Sequence, residues 1–266
     1  MRVTKHGLNR LHLAITGDYF MTMHNEHDIL NDTLQWVCLQ CGYNMIGAMP
    51  EVCPFCGASH DQFMPWDEAE TKYHVTEYTI NNDVSQLLSV PKLGYEHAAY
   101  RIETAEGAVW IDSPSAFNRR LAPVDAILFT HHHFMGASNQ YRQIWNAKIW
   151  LHDLDASHRL AALFTIDRRF FDDFSSYGIE AYHTGGHTPG FTFYIYHDVL
   201  FICDYVFLTD TDMRFNPYGP EQETIKQAQR IHEVIKRKAL KTVCGYNYIT
   251  SFADWMAGFE HIIRNG

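Results

Sequence analysis

The chain has 266 residues, 46% of them hydrophobic, which supports one large or two smaller packed domains and excludes wholesale disorder. A formal net charge of −10 argues against a nucleic-acid partner, which needs a basic excess. No apolar run approaches the ~20 residues that span a bilayer, and the N-terminus lacks an apolar signal core, so the expectation is no membrane and a cytoplasmic location.

Residues 1–35 read as a His- and Met-rich N-terminal extension, with His24 and His27 flanking a carboxylate but no second cluster near them. Residues 36–66 carry two C-x-x-C pairs, Cys38/Cys41 and Cys53/Cys56. Two thiolates three apart on a tight turn grip one side of a metal, and a second such turn closes a tetrahedron. Gly42 and Gly57 follow the pairs and let the backbone aim amides at the sulfurs. In a cytosolic chain this pattern means metal rather than disulfides. Four thiolates suit iron and zinc alike. Cys203 and Cys244 read as buried small hydrophobes.

Residues 67–75 look like a charged connector. From about residue 76, apolar runs such as AVWID, AILFT, KIWLH, FTFYIY and LFICD read as strands, several buried on both faces. SNQYRQIW reads as a helix with Ser138 suited to its N-cap. A helix after Pro220 puts Ile225, Ala228, Ile231 or His232, and Ile235 on one stripe. A last helix opens with Ser251 and Asp254 in capping-box spacing. Alternating strands and helices over residues 76–266 predict a layered α/β domain.

Histidine is the outlier, with 17 copies that cluster. A strand ending at Phe129 runs into Thr130-His131-His132-His133, and strand ends are where α/β sheets bind ligands. In an extended segment His131 and His133 share a side, while His132 points elsewhere. His187 lies in a Gly-rich turn, and Asp204 ends an apolar strand where a lone carboxylate is costly without a cation or donor. Together His131, His133, His187 and Asp204 form a coherent candidate metal site. His183 and Asp112 are expected to support the histidine turns. His152, Asp153 and His132 are expected in the pocket wall or on a solvated face.

Residues 36–66 resemble rubredoxin, in particular the rubredoxin domain of rubrerythrins: Trp36, C-G-Y at 41–43, P-E-x-C-P at 50–54, C-G-A at 56–58 and Phe63 follow that pattern. The resemblance implies a one-electron iron centre held by Cys38, Cys41, Cys53 and Cys56, with a structural zinc ribbon as the alternative. T-H-x-H at 130–133, G-G-H-T-P-G at 185–190, C-D-Y-V-F at 203–207 and AVWIDSP at 108–114 resemble the metallo-β-lactamase superfamily. That resemblance implies an αββα sandwich with metal at one edge. It also marks departures. The superfamily's next Asp and His fall on Met135 and Gly136, and its last His falls on Tyr246. The second metal's ligands are therefore missing, and one iron or zinc at the His/Asp site is expected.

These readings converge on an iron-dependent oxidoreductase. The cysteine centre supplies electrons to a mononuclear non-haem site, which acts on a small-molecule substrate or O2. The expected catalytic residues are His131, His133, His187, Asp204 and Tyr246, the last as a hydrogen-bond or proton donor. An electron-donor protein is the expected partner, and a homo-oligomer is left open. The alternatives are a single-zinc hydrolase with a stapling zinc ribbon, and a non-catalytic binding protein.

Overall fold

The computed structural model describes residues 34–209 and 212–266, so the N-terminal extension with His24 and His27 lies outside the described residues. The chain begins with a three-stranded antiparallel sheet, order β2-β1-β3, formed by β1 (Gln35–Cys38), β2 (Asn44–Ile46) and β3 (Phe63–Pro65). The expected connector is not extended. Its first part is helix α1 (Trp66–Lys72), with Asp67 and Glu68 in the first turn and Lys72 in the last, charges that complement the helix dipole. Trp66 and Ala69 face inward and fasten it to the body.

A seven-stranded sheet follows in unbroken chain order. It comprises β4 (His74–Thr79), β5 (Val84–Val90), β6 (Ala99–Thr104), β7 (Gly107–Ile111), β8 (Ala126–Leu128), β9 (Lys148–His152) and β10 (Arg168–Phe170). The pairs β7–β8, β8–β9 and β9–β10 are parallel. Helix α2 (Ser138–Trp145) connects β8 to β9, and the short α3 (Asp153–Ala156) follows β9. A six-stranded sheet faces the first, built from β11 (Phe174–Ser176), β12 (Ile179–His183), β13 (Thr192–Tyr196), β14 (Val199–Cys203), β17 (Thr242–Gly245) and β18 (Ile249–Ser251). The hairpin β15 (Val206–Leu208) and β16 (Met213–Phe215) stands apart, and α4 (Glu221–Ile235) and α5 (Phe252–Asn265) complete the chain.

Side-chain alternation explains the layering. Along β7 and β8, Trp110 and Ile127 point to a core shared with α1 and α2, while Ile111 and Leu128 point between the sheets. Along β13, Tyr194 and Tyr196 point between the sheets, and Phe193 and Ile195 point to a core under α4 and α5. Both sheets are therefore buried on both faces, as the unbroken apolar runs require. The order is helix, sheet, sheet, helix. A fourth small cluster, including Tyr43 and Phe63, packs around the cysteines.

Two helix details differ from expectation. Ser138 is the first helical residue and caps nothing; Ala137 holds the N-cap position. On α4 the fully buried positions are Thr224, Ala228, Ile231 and Ile235, with Ile225 half-buried beside them. Ser251 caps α5 by accepting from the Asp254 N–H, as its spacing predicts. Among the described residues no helix is long and apolar enough to cross a membrane.

Candidate metal centres

The cysteine knuckle is built from two tight turns. Gly42 and Gly57 sit at φ +77° and +78°, and their N–H groups donate to the carbonyls of Cys38 and Cys53. Each turn swings neighbouring amides toward a sulfur: Gln40 and Cys41 toward Cys38, Phe55 and Cys56 toward Cys53. The glycines thus close the turns, and the residues before them face the sulfurs. Cys38 Sγ lies 3.7 Å from Cys56 Sγ and Cys41 Sγ 3.8 Å from Cys53 Sγ, far longer than a disulfide. All six cysteines are free. The four knuckle sulfurs lie within 4.8 Å of one another. Hydrogen bonds from Cys38 and Cys41 pull Cys53 down to about 2, while the contact with Cys38 drives Cys41 up. Four thiols forced to share protons are what a cation resolves by deprotonating them. Cys203 and Cys244 are buried apart from this cluster, as expected.

The histidine cluster lies at one edge of the two facing sheets. β8 leads into His131–His133, β12 leads into the turn bearing His187, and β14 leads directly into Asp204. The segment after β8 does not stay extended. His131 is extended, but His132–Phe134 form a 3-10 turn, because the chain must bend sharply here to enter α2. His131 and His133 still converge, offering different ring nitrogens. His133 Nδ1 lies 3.1 Å from His187 Nε2, and His131 Nε2 lies 3.4 Å from Asp204 Oδ1. His187 Nε2 is 3.5 Å from Asp204 Oδ2. One ligand atom from each of the four residues falls within a 4.8 Å cluster.

Hydrogen bonding sets the tautomer. Asp112 accepts from the Thr130 N–H at 2.9 Å and lies 2.9 Å from the Thr130 hydroxyl. That hydroxyl spends its one proton on Asp112, so it accepts at 2.9 Å from His131 Nδ1–H. His131 Nε2 then carries a lone pair aimed at the cluster. Burial, followed by the charge of His133, holds His131 neutral, well below its usual range. Burial, followed by His187, lowers His133 to about 2. Burial raises Asp204, although Asn216 donates to its Oδ2 at 2.9 Å. His131 Nε2 and Asp204 Oδ1 are buried with no hydrogen-bond partner among the described residues. Converging buried lone pairs without a shared proton fit a bound cation and are otherwise costly.

Asp155 is a support that sequence reasoning missed. Its Oδ2 accepts from the His132 N–H at 3.0 Å and the Thr188 hydroxyl at 2.8 Å, and its Oδ1 accepts from the Gly190 N–H at 2.8 Å. It thereby ties the turn carrying His131 and His133 to the turn carrying His187. Burial alone would raise its pKa, but His132, Thr188 and Gly190 hold it below the usual value. His132 turns away from the cluster onto Asp155, 3.1 Å from Nδ1 to Oδ2. His183 donates to the Pro189 carbonyl and stacks on His152 at 3.7 Å, so both stay out of the cluster. Asp153 pairs with Arg169 outside the cluster, and no sequence signal marked Asp155 rather than Asp153.

The positions where a second metal's ligands were sought are filled otherwise. Met135 is buried in the helix-side core. Gly136 sits at φ +50°, and a Cβ there would run into the Pro114 carbonyl and lie 2.6 Å from the Ser113 carbonyl oxygen. Tyr246 lines the cavity over the cluster, its ring 6.0 Å from Phe134 and 5.8 Å from Phe207. Burial, followed by the charge of Asp204, raises its phenol, which stays protonated.

That cavity, about 740 Å³, is shared by both centres. Cys41 and Cys56 line it on one side, and His133 and Asp204 on another. Phe55, between the second pair of cysteines, stands 5.3 Å from the His133 ring and 5.1 Å from Phe134. The knuckle is held there closely. Tyr95 N–H donates to the Gln40 carbonyl, Asn44 to the Ser115 carbonyl at 2.9 Å, and Gly94 leaves no room for a Cβ against Gln40.

The family model for the rubrerythrin rubredoxin-like domain matches residues 36–64. A comparison with curated proteins finds no match. Among solved structures the chain is similar to the metallo-β-lactamase from Pontibacter korlensis, at 16% identity and a TM-score of 0.56, covering 73% of this chain and 100% of that one. It is similar to the metallo-β-lactamase from Hirschia baltica at 14% identity and a TM-score of 0.56, covering 71% and 98%. DIM-1 metallo-β-lactamase aligns at 10% identity and a TM-score of 0.55, covering 72% and 98%. The chain therefore joins a rubrerythrin-type rubredoxin-like domain at residues 36–64 to a body with the metallo-β-lactamase fold.

Proposed function

We propose that this chain is an iron-dependent oxidoreductase in which the cysteine centre serves the histidine centre on the same chain. The observation that carries the reading is the shared cavity: Cys41 and Cys56 line the same space as His133 and Asp204, and Phe55 of the second cysteine turn packs against His133. A stapling zinc ribbon has no need to face a second metal site.

Cys38, Cys41, Cys53 and Cys56 would hold an iron that carries single electrons, and His131, His133, His187 and Asp204 would hold one able to supply redox chemistry to a small molecule or O2. The chain's own residues prepare that chemistry. Thr130 and Asp112 keep the His131 proton on Nδ1 and its Nε2 free. Asp155 holds the two histidine turns in register. Phe55 packs on Phe134 and His133, so the second cysteine turn meets the histidine turn through aromatic rings. Tyr246 presents a protonated phenol to whatever enters the cavity. Electrons would come from an external donor protein that meets the knuckle.

The test is metal content by mass spectrometry with an ultraviolet–visible spectrum of freshly purified protein, before and after dithionite. Two irons per chain, with thiolate-to-iron absorption that bleaches on reduction, are expected. A colourless protein holding only zinc would overturn the redox reading and leave single-zinc hydrolysis, since one zinc can lower a bound water's pKa to about 7.

A further inference from the structure

We propose that the cavity over the histidine cluster binds an organic anion, an aromatic or apolar body ending in a carboxylate or phosphate, with Arg159 and Arg214 holding the charged end. The proposal rests on the reading of that cluster as the working centre and specifies what the centre faces.

Size comes first. At about 740 Å³ the cavity lies within the ~300–1,000 Å³ typical of small-molecule sites, and a diatomic gas needs a small fraction of it. The walls come next. Phe55, Tyr95, Phe207 and Tyr246 give an aromatic lining suited to a flat or apolar body. Charge then sets the class. Arg159 enters from the loop after α3, beside the knuckle, and Arg214 from β16, where it pairs across from Phe207.

Neither guanidinium has an ion pair or hydrogen bond among the described residues, although seven other arginines are each paired with a carboxylate. Among the described lining residues Asp204 is the only carboxylate, and it faces His131 and His187 while accepting from Asn216. His158, which also lines the cavity, adds a third nitrogen-bearing group against His132. A chain of net charge −10 thus lines this cavity with two arginines that have no ion-pair partner among the described residues, and such a lining concentrates anions. Guanidinium forks match carboxylate and phosphate oxygens in geometry as well as charge.

The experiment is titration calorimetry on the purified, metal-replete protein at low ionic strength. The probes are 1-naphthyl phosphate, 1-naphthoate and the uncharged 1-naphthalenemethanol. At least one anion is expected to bind about tenfold or more tightly than the alcohol, and the tighter of the two identifies the head group. Arg159→Gln with Arg214→Gln should weaken that anion about tenfold or more and flatten its salt dependence, while the double lysine variant, which keeps the charge but not the fork, recovers only part of the affinity and keeps the salt dependence. Both arginines are exposed, so thermal melting should be unchanged. Equal binding of alcohol and anions, or full affinity in the double glutamine variant, overturns the proposal. Affinity that survives in that variant but vanishes on chelation shows the anion held by metal alone and overturns it too. The readout requires neither iron nor turnover. A colourless zinc protein that binds anions through its arginines keeps this proposal and sinks the redox one, and a bleachable iron protein that ignores the anions does the reverse.

Discussion

Asp155→Asn isolates the coupling between the two histidine turns. The carboxylate accepts three hydrogen bonds, from His132 N–H, Thr188 hydroxyl and Gly190 N–H. Asparagine keeps the shape but turns one acceptor into a donor. The cheaper orientation puts the new NH2 against Gly190, leaving two buried donors face to face. Each unmade buried hydrogen bond costs ~1–3 kcal/mol, so a loss of about 3 kcal/mol is expected. For a chain of this size that lowers the melting temperature by roughly 6–12 °C. The metal consequence should exceed the stability consequence in diagnostic value. Residues that orient metal ligands change affinity by roughly 10–100-fold when replaced. The assay is chelator competition at the histidine site with the knuckle's absorption recorded in the same sample. Histidine-site affinity should fall while the knuckle spectrum stays unchanged. Thr188→Val, which removes one donor and strands nothing but an acceptor site, should cost about 1 kcal/mol. An Asp155→Asn protein with wild-type melting and wild-type metal affinity would refute the argument that this carboxylate ties the turns.

Gly136→His, alone or with Met135→Asp, should fail to create a second metal site, because a Cβ at 136 meets the Pro114 and Ser113 carbonyls in a left-handed backbone; metal analysis showing an additional bound ion would contradict this. Phe55→Ala should leave both metals in place but slow oxidation of the reduced knuckle severalfold in stopped flow, and an unchanged rate would remove Phe55 from the route. Glu96 supplies a pH prediction. Burial raises it from 4.5 to about 7, despite hydrogen bonds from Ser89. The folded state therefore binds this proton more tightly than the unfolded state, and its contribution is present below about pH 4.5 and lost as pH rises through about 7. That loss is worth roughly 3 kcal/mol. Glu96→Gln should flatten the decline between those limits in denaturant titrations, and a parallel decline in the variant would assign it elsewhere.

The two candidate metal clusters were legible in the sequence because ligand chemistry restricts residue type at short spacing. C-x-x-C and H-x-H are local, and a carboxylate ending the apolar run LFIC is conspicuous. The layering was legible from strand alternation and from runs apolar on both faces. What escaped was set by contacts between distant segments. Asp155 has partners 23 to 35 residues away on two different turns, and its neighbour Asp153 looks no different in sequence. The placement of the knuckle against its own histidine site depends on Gly42, Asn44 and Gly94 meeting the loop at 113–115 and the Gln40 carbonyl, which no periodicity announces. The connector became a helix because Trp66 and Ala69 found a core to bury in, a tertiary gain that outweighed its polar composition.

The fixed seat of the knuckle has a kinetic corollary. A carrier that diffuses to its acceptor obeys second-order kinetics and slows as salt screens the encounter. Here the approach is already complete within one chain, so transfer between the centres would be first order, independent of dilution and nearly indifferent to ionic strength. Dependence on concentration and salt would then enter only at the step that loads the knuckle from outside, and a rate measured at saturating donor would report the internal step alone.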